Sequence, residues 1–339
     1  MALFASFVVV NFNGDAVLRR CLAALSQQTD QDFEIILVDN ASAVAWEPAV
    51  PASLKAKIVV VQNNVNCGYA KGNNQGIAVS RGEWIVFVNN DATLREDFLA
   101  HLRSAASQHP EFGLFAPQVR IEDYPDYIDS AGVGVFLDGV ARNRGWQDHS
   151  REHQEPVEVL GMVGAVAAIH RKVWTDVSGF DEDFFMYLED SEWGLRAAWR
   201  GHRCLYLPQL MAWHKHSSTT GKHTAEKAYW VERNHLWCAV KNFPLPLLLL
   251  SPFYTCYRYV LQACAAATNR GITSAFMRSY TRAELARVLW RAYRDAILGL
   301  PAMWRKRREI MRGRRLTTLE FLLRFRRYRL SWRDFAFKD

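Results

Sequence analysis

Two adjacent carboxylates, Glu189 and Asp190, are the groups in this chain best suited to acid–base chemistry. They lie in an acidic and aromatic segment, VSGFDEDFFMYLEDSEWGLRAAWRG, at residues 177–201. A carboxylate inside an apolar run is costly to bury unless it is paired, hydrogen-bonded, bound to a metal or catalytic. The pair also opens a predicted helix from Asp190 to Arg200 that ends at Gly201, so helix capping is the alternative explanation.

Four apolar runs near the amino terminus predict the strands that would position further polar groups. They read SFVVVN, FEIILVDN, KIVVVQ and EWIVFVNND, and each passes directly into polar side chains. Apolar residues at helical spacing predict helices at 15–28 and 72–80. Such alternation is typical of a parallel sheet covered on both faces, where ligands bind beyond the carboxyl ends of the strands. The polar residues at all four strand ends therefore predict one site.

The residue types at these strand ends suit a nucleotide and a hard cation. Asp39 could accept the N3–H of uracil or thymine, whereas cytosine and adenine present an acceptor there. The glycine-rich stretch 68–76 and Lys71 would approach a phosphate or ribose, and Asp91 would hold Mg²⁺ or Mn²⁺. The alternative is that strand-terminal Asp and Asn only form turns. The lack of GxGxxG disfavours a dehydrogenase-type fold, and the lack of GxxxxGK[ST] excludes a P-loop.

In order and spacing these motifs resemble the family-2 glycosyltransferases with a GT-A fold, and within them the bacterial rhamnosyltransferase-like branch of cell-surface polysaccharide synthesis. The resemblance covers roughly residues 5–245. It implies an α/β fold with a Rossmann-like, mostly parallel sheet and helices on both faces. The motifs that carry it are VVVNFNG (8–14), ILVDNAS (36–42), NCGYAKGNNQGI (66–77), FVNND (87–91), GFDEDFFMYLEDSEWGLRAAWRG (179–201) and AWHKHSS (212–218).

The resemblance implies which residues bind the donor. The backbone of the first motif and the aspartate of the second clasp the pyrimidine, which implicates Asn11, Phe12 and Asp39. Glu189 is assigned to acceptor or sugar binding, and Trp213 could stack on a sugar face unless it belongs to the core. The full expected nucleotide-binding set is Asn11, Phe12, Asn13, Asp39, Asn40, Gly68, Lys71, Asn74, Asn90 and Asp91.

The resemblance also implies the metal ligands and the base. The acidic motif after the fourth strand is usually DxD but reads Asn-Asn-Asp here, so Asp91 is the implied metal ligand. His214 lies where the family often has a histidine that completes the metal shell, and His216 is the weaker candidate. The Glu-Asp pair supplies the catalytic base, which is Asp190 in this chain.

The predicted activity is inverting transfer of a sugar from a pyrimidine-diphosphate donor to a hydroxyl of a lipid-linked saccharide. One base gives inversion, whereas retention would demand a second, nucleophilic carboxylate, for which Glu189 is the candidate. The resemblance favours L-rhamnose from dTDP-rhamnose; galactofuranose, N-acetylglucosamine or glucose from UDP is the alternative. Two other classes remain to be tested, a non-catalytic nucleotide-sugar-binding membrane scaffold and a nicotinamide-dependent oxidoreductase.

The carboxyl-terminal region differs in composition from the rest of the chain. Residues 301–339 hold 13 Lys and Arg against four Asp and Glu, so they carry all of the net charge of +7. They follow an apolar segment at 243–267 that Pro244, Pro246, Pro252 and Arg258 interrupt, with no clean run of about 20 residues. This pattern favours an interfacial or re-entrant element on an anionic membrane over nucleic acid binding. A helical subdomain packed on the catalytic core or on a second subunit is the alternative.

The expected organisation follows from these patterns. A catalytic domain spans 1–242, with a nucleotide-binding half at 1–95 and an acceptor and catalytic half at 96–242, and a helical membrane-associating region spans 243–339. The six cysteines show no CxxC and no paired spacing, which fits the reducing cytoplasm. The apolar amino terminus reads as a core strand rather than a signal peptide. The expected location is therefore the inner face of the plasma membrane, with self-association left open.

Overall fold

One ten-stranded sheet organises the chain, and the computed structural model describes residues 3–215, 224–268, 276 and 278–330. A separate two-stranded hairpin, β8–β9, lies beside it. The strands are β1 (Ala5–Asn11), β2 (Phe33–Asn40), β3 (Ile58–Asn63), β4 (Trp84–Val88), β5 (Ala92–Leu94), β6 (Leu114–Ile121), β7 (Tyr124–Ser130), β8 (Val133–Val135), β9 (Ala141–Asn143), β10 (Val157–Val159), β11 (Val166–His170) and β12 (Cys204–His214). The helices are α1 (Asp15–Ser26), α2 (Gly68–Val79), α3 (Phe98–Gln108), α4 (Arg171–Val177), α5 (Glu189–Trp199), α6 (Ala225–Asn242), α7 (Leu245–Ala267), α8 (Arg282–Arg312) and α9 (Thr318–Tyr328).

The first half of the sheet is parallel, as its apolar runs predict. Its strand order is β3-β2-β1-β4, and all three pairings between these strands are parallel. β11 then pairs antiparallel with β4 and with β6, which begins a mixed second half that ends at β12 and β10. The four predicted strands are confirmed, and their carboxyl ends lie at one edge because parallel strands end on the same side.

Two apolar layers cover the sheet. One is built with Leu18 and Leu22 of α1 and with Phe98 of α3. The other is built with Ile77 of α2 and Trp193 of α5. Because helices shield both faces, β2 is buried at every residue, which explains its unbroken apolar sequence.

Helix α2 begins four residues earlier than the sequence predicts, at Gly68 instead of Gly72. The glycines at 72 and 76 therefore lie inside the helix and not in a phosphate-binding loop. A Cβ at Gly72 would lie 3.0 Å from Val10, and one at Gly76 would lie 2.7 Å from Val8. The absence of side chains lets α2 lie directly on β1, so these glycines serve helix–sheet packing.

The carboxyl-terminal helices pack against the sheet domain. Trp199 of α5 stacks on Phe321 of α9, with 3.9 Å between ring centroids, and the two belong to an apolar cluster that also includes Trp237 and Met303. α7 is one continuous helix that passes through Pro252, one of the residues that interrupt the apolar run in the sequence. Among the described residues, no helix combines the length and apolarity that crossing a membrane requires.

Candidate active site

The ends of β1, β2 and β4 meet in one hydrogen-bonded cluster of polar side chains. Asn90 Nδ2 donates to Asn11 Oδ1 over 2.8 Å, and Asn11 Nδ2 donates to Asp39 Oδ1 over 3.1 Å. All three side chains are buried, and Asn11 and Asp39 face each other in the β1–β2 register. The structure therefore brings together three residues of the expected nucleotide-binding set.

The Asp39 carboxylate is ionised and held in place by several donors. Oδ1 also accepts from the Ser42 hydroxyl over 2.6 Å, and Oδ2 accepts from the Ser42 N–H over 3.1 Å and from Gln62 Nε2 over 2.7 Å. Burial alone would raise the pKa of Asp39, but the Ser42, Gln62 and Asn11 donors outweigh it and lower the pKa below its usual value.

The turn after β1 lies against the same cluster. Asn13 has a positive φ of 52°, its N–H donates to the Ser42 hydroxyl over 2.9 Å, and its side chain accepts from the N–H of Ala43 over 2.8 Å. Asn13 is exposed and Phe12 is half-buried. Asn13 is thus tied to Ser42 and Ala43 beside Asp39, and a nucleotide role for Phe12 stays a prediction.

A second cluster surrounds His214 at the end of β12. His214 Nε2 lies 3.0 Å from Asp91 Oδ1, and His214 Nδ1 lies 2.7 Å from Asp129 Oδ2. Burial opposes protonation of His214, but Asp129 and Asp91 outweigh it and raise the pKa of the imidazole to about 10. His216 lies outside the described residues. Asp91 and His214, 123 positions apart in sequence, therefore share one site.

The donor set of this cluster fits a divalent cation. Asp91 presents a carboxylate oxygen and His214 presents Nε2, while Asp129 holds the other ring nitrogen, as second-layer carboxylates do for metal-bound histidines. No group of three or more Asp, Glu, His or Cys side chains with metal-binding geometry occurs in the described part of the chain. Mg²⁺ and Mn²⁺ commonly bind nucleotides through one or two protein ligands plus phosphates and water, so two ligands suffice.

Asp190 sits in the first turn of α5, half-buried, with its carboxylate fixed by three donors. Its Oδ2 accepts from the N–H of Gly164 over 2.7 Å, and its Oδ1 accepts from the N–H and hydroxyl of Ser191 over 2.6 and 3.0 Å. Burial raises the pKa of Asp190 above its usual value in spite of these donors. A carboxylate with a raised pKa is a stronger base, which suits proton abstraction.

Glu189 is more deeply buried than Asp190, with 4% of its surface exposed. Burial and the negative charge of Asp190 raise its pKa well above the usual value. Its Oε2 has no hydrogen-bond partner in the described structure. A buried polar atom without a partner is costly in a folded protein, and a ligand hydroxyl would relieve that cost.

Backbone and aromatic contacts join the two clusters to Asp190. Asn89, two residues before Asp91, donates its N–H to the carbonyl of Ala165 over 2.8 Å, while the adjacent Gly164 donates to Asp190. The Tyr69 hydroxyl donates to the carbonyl of Gly164 over 2.6 Å. Burial raises the pKa of Tyr69, and the charges of Glu189, Asp190 and Asp91 raise it further. The residues predicted to bind nucleotide and metal are therefore linked to the predicted base, Asp190, at one edge of the sheet.

Four residues of the expected nucleotide-binding set have other contacts in this structure. Asn40 donates to the carbonyl of Gly68 over 3.1 Å, which ties β2 to the start of α2. Asn74 donates to the carbonyl of Phe180 over 2.9 Å, and Lys71 lies 3.8 Å from Glu182. These contacts hold α2 against β2 and the acidic segment, so a nucleotide role for Asn40, Gly68, Lys71 and Asn74 stays a prediction.

Trp213 and His214 point to opposite faces of the sheet because side chains alternate along β12. Trp213 is half-buried and pairs in register with Thr93, whereas the buried His214 faces the Asp91 cluster. Stacking of Trp213 on a sugar also stays a prediction.

Several residues of the site carry no clear sequence signal. Asp129 lies on β7 and reaches His214 only because β6 pairs with both β7 and β12. Gly164 and Gln62 likewise contact Asp190 and Asp39 through tertiary structure. Tyr69 does carry a sequence signal, because it lies in the GYAKG part of the motif at 66–77.

Comparisons with known proteins show the family to which the chain belongs. A family model described as glycosyl transferase family 2 matches residues 6–176, about half of the chain. The N-acetylglucosaminyl-diphospho-decaprenol L-rhamnosyltransferase of Mycobacterium tuberculosis (strain CDC 1551 / Oshkosh) is 27% identical over 240 residues, which cover 64% of this chain and 78% of the relative. The dTDP-rhamnosyl transferase RfbF of Shigella flexneri is 23% identical over 255 residues, which cover 71% of this chain and 81% of the relative.

A solved structure supports the fold. The mannosyltransferase PcManGT from Pyrobaculum calidifontis, in complex with GDP-Man and Mn²⁺, matches with a TM-score of 0.54 at 17% identity, covering 92% of this chain and 86% of that chain. The chain spans 40% and 48% of two longer solved chains that it also matches. By its family match and its fold, the chain belongs to glycosyl transferase family 2 and is a glycosyltransferase with a GT-A fold, similar in sequence to rhamnosyltransferases.

Proposed function

We propose that the protein is an inverting, divalent-metal-dependent glycosyltransferase that uses a pyrimidine-diphosphate sugar and Asp190 as its base. The observation that carries the proposal is the Asp190 carboxylate. It is half-buried, has a raised pKa, and connects through Gly164 and Ala165 to the edge that holds Asp91 and His214. A base next to a cation site is an arrangement suited to glycosyl transfer from a diphosphate donor.

The transfer step follows from the hydrogen bonds of Asp190. Its three donors use three of about four lone-pair positions and leave one free on Oδ2. The acceptor hydroxyl donates there and gives its proton to Asp190 as its oxygen bonds to the anomeric carbon of the donor. The bond from that carbon to the diphosphate breaks, and the electron pair leaves with the diphosphate. Attack opposite the leaving group inverts the anomeric configuration.

Asp91 and His214 would hold the divalent cation, with Asp129 orienting the His214 ring. A bound Mg²⁺ or Mn²⁺ neutralises charge on the departing diphosphate. Cation binding would require the His214 imidazole to lose the proton that Asp91 and Asp129 stabilise. The cation would then replace the positive charge of the protonated ring beside these carboxylates.

The pyrimidine would bind at Asp39. The carboxylate already accepts four hydrogen bonds, and Gln62 is the donor with an exposed side chain. In this proposal the N3–H of uracil or thymine takes the place of the Gln62 amide on Oδ2. Cytosine presents an acceptor at N3 and would face the lowered-pKa, ionised carboxylate, so it would be rejected.

The activities of two relatives support the choice of donor and acceptor. One relative is a dTDP-rhamnosyl transferase and the other is an L-rhamnosyltransferase named for a polyprenyl diphosphate acceptor. We therefore propose dTDP-rhamnose as donor and a lipid-linked saccharide as acceptor. Transfer of galactofuranose, N-acetylglucosamine or glucose from UDP is the alternative, because Asp39 does not distinguish thymine from uracil by hydrogen bonding.

We also propose that the protein works in the cytoplasm, peripherally on the inner face of the plasma membrane. The support is a set of exposed apolar side chains on α7 and α8, beside a strongly basic carboxyl-terminal region. On α7 they recur at helical spacing along one face. The set comprises Leu245, Leu249, Leu250, Phe253, Tyr257, Val260, Trp290, Ile297, Leu298 and Trp304.

A thermal-shift screen tests the donor class. We expect dTDP-rhamnose or a UDP-sugar to raise Tm, more so with Mn²⁺, and CDP and ADP-glucose, whose bases present an acceptor to Asp39, to have little effect. Asp39→Asn should lose the shift, while Asp126→Asn, which changes an exposed carboxylate, should keep it. Stabilisation by purine and pyrimidine nucleotides alike, or by none, would refute the proposed donor class.

A further inference from the structure

The segment that leads into Glu189 has an unusually strained backbone. Phe185 adopts φ 63° and ψ −65°, and the N–H of Met186 donates to the carbonyl of Phe184 over 2.7 Å, which together define the rare form of the γ-turn. Tyr187 and Leu188 also have positive φ values, 66° and 67°. Residues with side chains rarely adopt such angles, and they persist only where surrounding structure holds them.

Asn234 of α6 supplies much of that support. Its Nδ2 donates to the carbonyls of Phe184, Met186 and Tyr187 over 3.0, 3.0 and 2.7 Å. The side chain is fully buried, with 0% exposure. One amide group therefore contacts three backbone carbonyls of the turn.

Arg233 reinforces the same contact. Its guanidinium donates to the carbonyls of Asp183 and Phe184 over 2.6 and 3.1 Å, and its Nε donates to Asn234 Oδ1 over 2.9 Å. The last bond fixes which end of the Asn234 amide faces the turn. The Arg233 guanidinium also lies over the Trp237 ring, 4.0 Å from its centroid, which limits its own movement.

The strained turn links the two sides of the site. The carbonyl of Phe185 accepts from the N–H of Ala70 in α2 over 3.0 Å, and its ring stacks on Trp230 of α6 with centroids 4.9 Å apart. Gly68 lies so close that an added Cβ would be 2.6 Å from the Phe185 ring. Helix α5 then begins at Glu189 directly after the turn, so the turn sets where that helix starts.

We propose that Arg233 and Asn234 are positioning residues for glycosyl transfer. By holding the turn at 184–188 in its strained form, they fix the direction in which the first turn of α5 presents Glu189 and Asp190. The inference rests on the proposed role of Asp190 as the base. Neither residue reacts with substrate; their effect passes through the backbone.

The first test separates positioning from general stability. Asn234→Asp keeps the shape of the side chain but replaces the donor with an acceptor, and Asn234→Ala removes it. We expect both to lower kcat by about tenfold or more while Kd for the donor nucleotide changes less than about threefold, since small misplacements of a catalytic group are costly. Asn242→Ala is the control, because Asn242 is equally buried on the same helix and bonds Cys238 and Glu192 instead of the turn.

The second test does not depend on activity. Hydrogen exchange of the backbone amides at 184–190 should become faster in Asn234→Ala than in Asn242→Ala when both proteins are measured equally far below their Tm. Arg233→Lys keeps the positive charge but replaces the guanidinium with a single ammonium group. It should give intermediate exchange and intermediate kcat.

Two results would overturn the proposal: an equal loss of kcat in the Asn234 and Asn242 variants, or unchanged exchange at 184–190 in Asn234→Ala. Failure of the wild-type protein to transfer sugar from any donor would count against the proposed function, and the exchange measurement would still test whether Asn234 holds the turn.

Discussion

The carboxylates of the acidic segment at 177–201 include one group with lowered pKa values and another with raised pKa values. Burial opposes ionisation of Asp181, but Lys241 and Lys306 lower its pKa to about 2. Glu192 is likewise paired with Arg196 and Lys241. In the described part of the chain, no basic side chain forms an ion pair with Glu189 or Asp190, and both have raised pKa values. Carboxylates whose pKa values are pushed apart in this way are the ones to which different roles can be assigned.

Asp129→Asn tests the carboxylate behind His214. The variant keeps the size of the side chain but loses the charge that orients the ring and favours its positive form. We expect Mn²⁺-dependent donor binding to weaken by about 10–100-fold, as for other carboxylates behind metal-bound histidines, and Asp91→Ala to weaken it at least as much. Binding of the free nucleoside should be unchanged. Titration calorimetry with and without EDTA measures both, and equal donor affinity in chelator would remove the metal from the account.

Glu189→Gln tests the buried carboxyl with the unpartnered oxygen. The pKa of Glu189 is raised in the folded protein, so ionising this carboxyl group lowers the free energy of unfolding. A neutral glutamine at the same position has no such loss. The stability of the wild type relative to the variant should therefore fall as pH rises from the ordinary Glu pKa, about 4.3, to the raised one, by up to about 1.4 kcal/mol per unit. Denaturant melts from pH 4 to 8 measure this. A pH-independent difference would mean that Glu189 is not buried as a neutral acid.

The sequence predicts some of these residues and not others, for physical reasons. Asp39 and Asp91 directly follow buried strands, and such strand ends meet at one edge of a parallel sheet. Asp129 follows no such rule, because its distance from His214 depends on a strand pairing and a bulge that no local pattern encodes. The strained turn before Glu189 is also invisible in sequence, since three residues with side chains adopt positive φ there.

Strands that are buried on both faces are predictable from sequence. The bounds of helices that depend on contacts with other elements are less predictable. The four amino-terminal strands read as continuous apolar runs because helices cover both sides of the sheet. The predicted start of α2 is wrong because the glycines at 72 and 76 suggest a loop. In the structure their lack of side chains allows α2 to lie in close contact with β1. Pro252 suggests a break, yet α7 continues through it.

Arg258 is the anchor of α7, and its replacement tests how that helix is held. Arg258 is buried and pairs with Asp138 over 2.6 Å and with Glu232 over 2.7 Å. Burial opposes ionisation of Glu232, but Arg258 lowers its pKa to about 2. Arg258→Ala would remove the cation from the fully buried Asp138 and the half-buried Glu232, so we expect a loss of about 3–5 kcal/mol in the free energy of unfolding.

Urea denaturation of Arg258→Ala beside Arg287→Ala provides the comparison, since Arg287 is exposed on α8. The Arg287 variant should lie within about 0.5 kcal/mol of wild type. A similarly small effect of Arg258→Ala would show that α7 is held by its apolar contacts instead of the ion pairs.

Charge and exposed apolar surface are unevenly distributed over the whole molecule. Part of the basic carboxyl-terminal region is used internally: Lys306 binds Asp183, Arg307 donates to the carbonyl of Val240, and Arg315 binds Asp176. These contacts agree with packing of the helices on the sheet domain. The exposed apolar faces of α7 and α8 and the basic composition of residues 301–339 together are the pattern on which the proposed membrane association rests.

Vesicle co-sedimentation tests the membrane surface. Leu249 and Phe253 are each 73% exposed on α7, and the double variant Leu249→Ser/Phe253→Ser should reduce binding to anionic vesicles by about tenfold or more. Val65→Ser, at a site 68% exposed on the sheet domain, is the matched control and should bind as wild type does. High salt should weaken the binding because the electrostatic part is screened.

Equal pelleting with neutral and anionic vesicles would contradict the electrostatic contribution. Absence of any pelleting would favour the rival explanation, in which the exposed faces of α7 and α8 meet a second subunit. Light scattering of the same protein would then show a dimer or larger assembly.

The most direct test of the account is a transfer assay that compares wild type with Asp190→Asn. Both receive a dTDP- or UDP-sugar that stabilises the wild type, Mn²⁺ and a lipid-linked saccharide, and NMR follows the new glycosidic bond and its anomeric configuration. We predict an inverted product from the wild type and at least a ~10²-fold lower kcat for Asp190→Asn with donor affinity nearly intact, because the amide keeps the shape but cannot take the proton. Turnover of Asp190→Asn at the wild-type rate would contradict the account and move the base elsewhere, with Glu189 the next candidate.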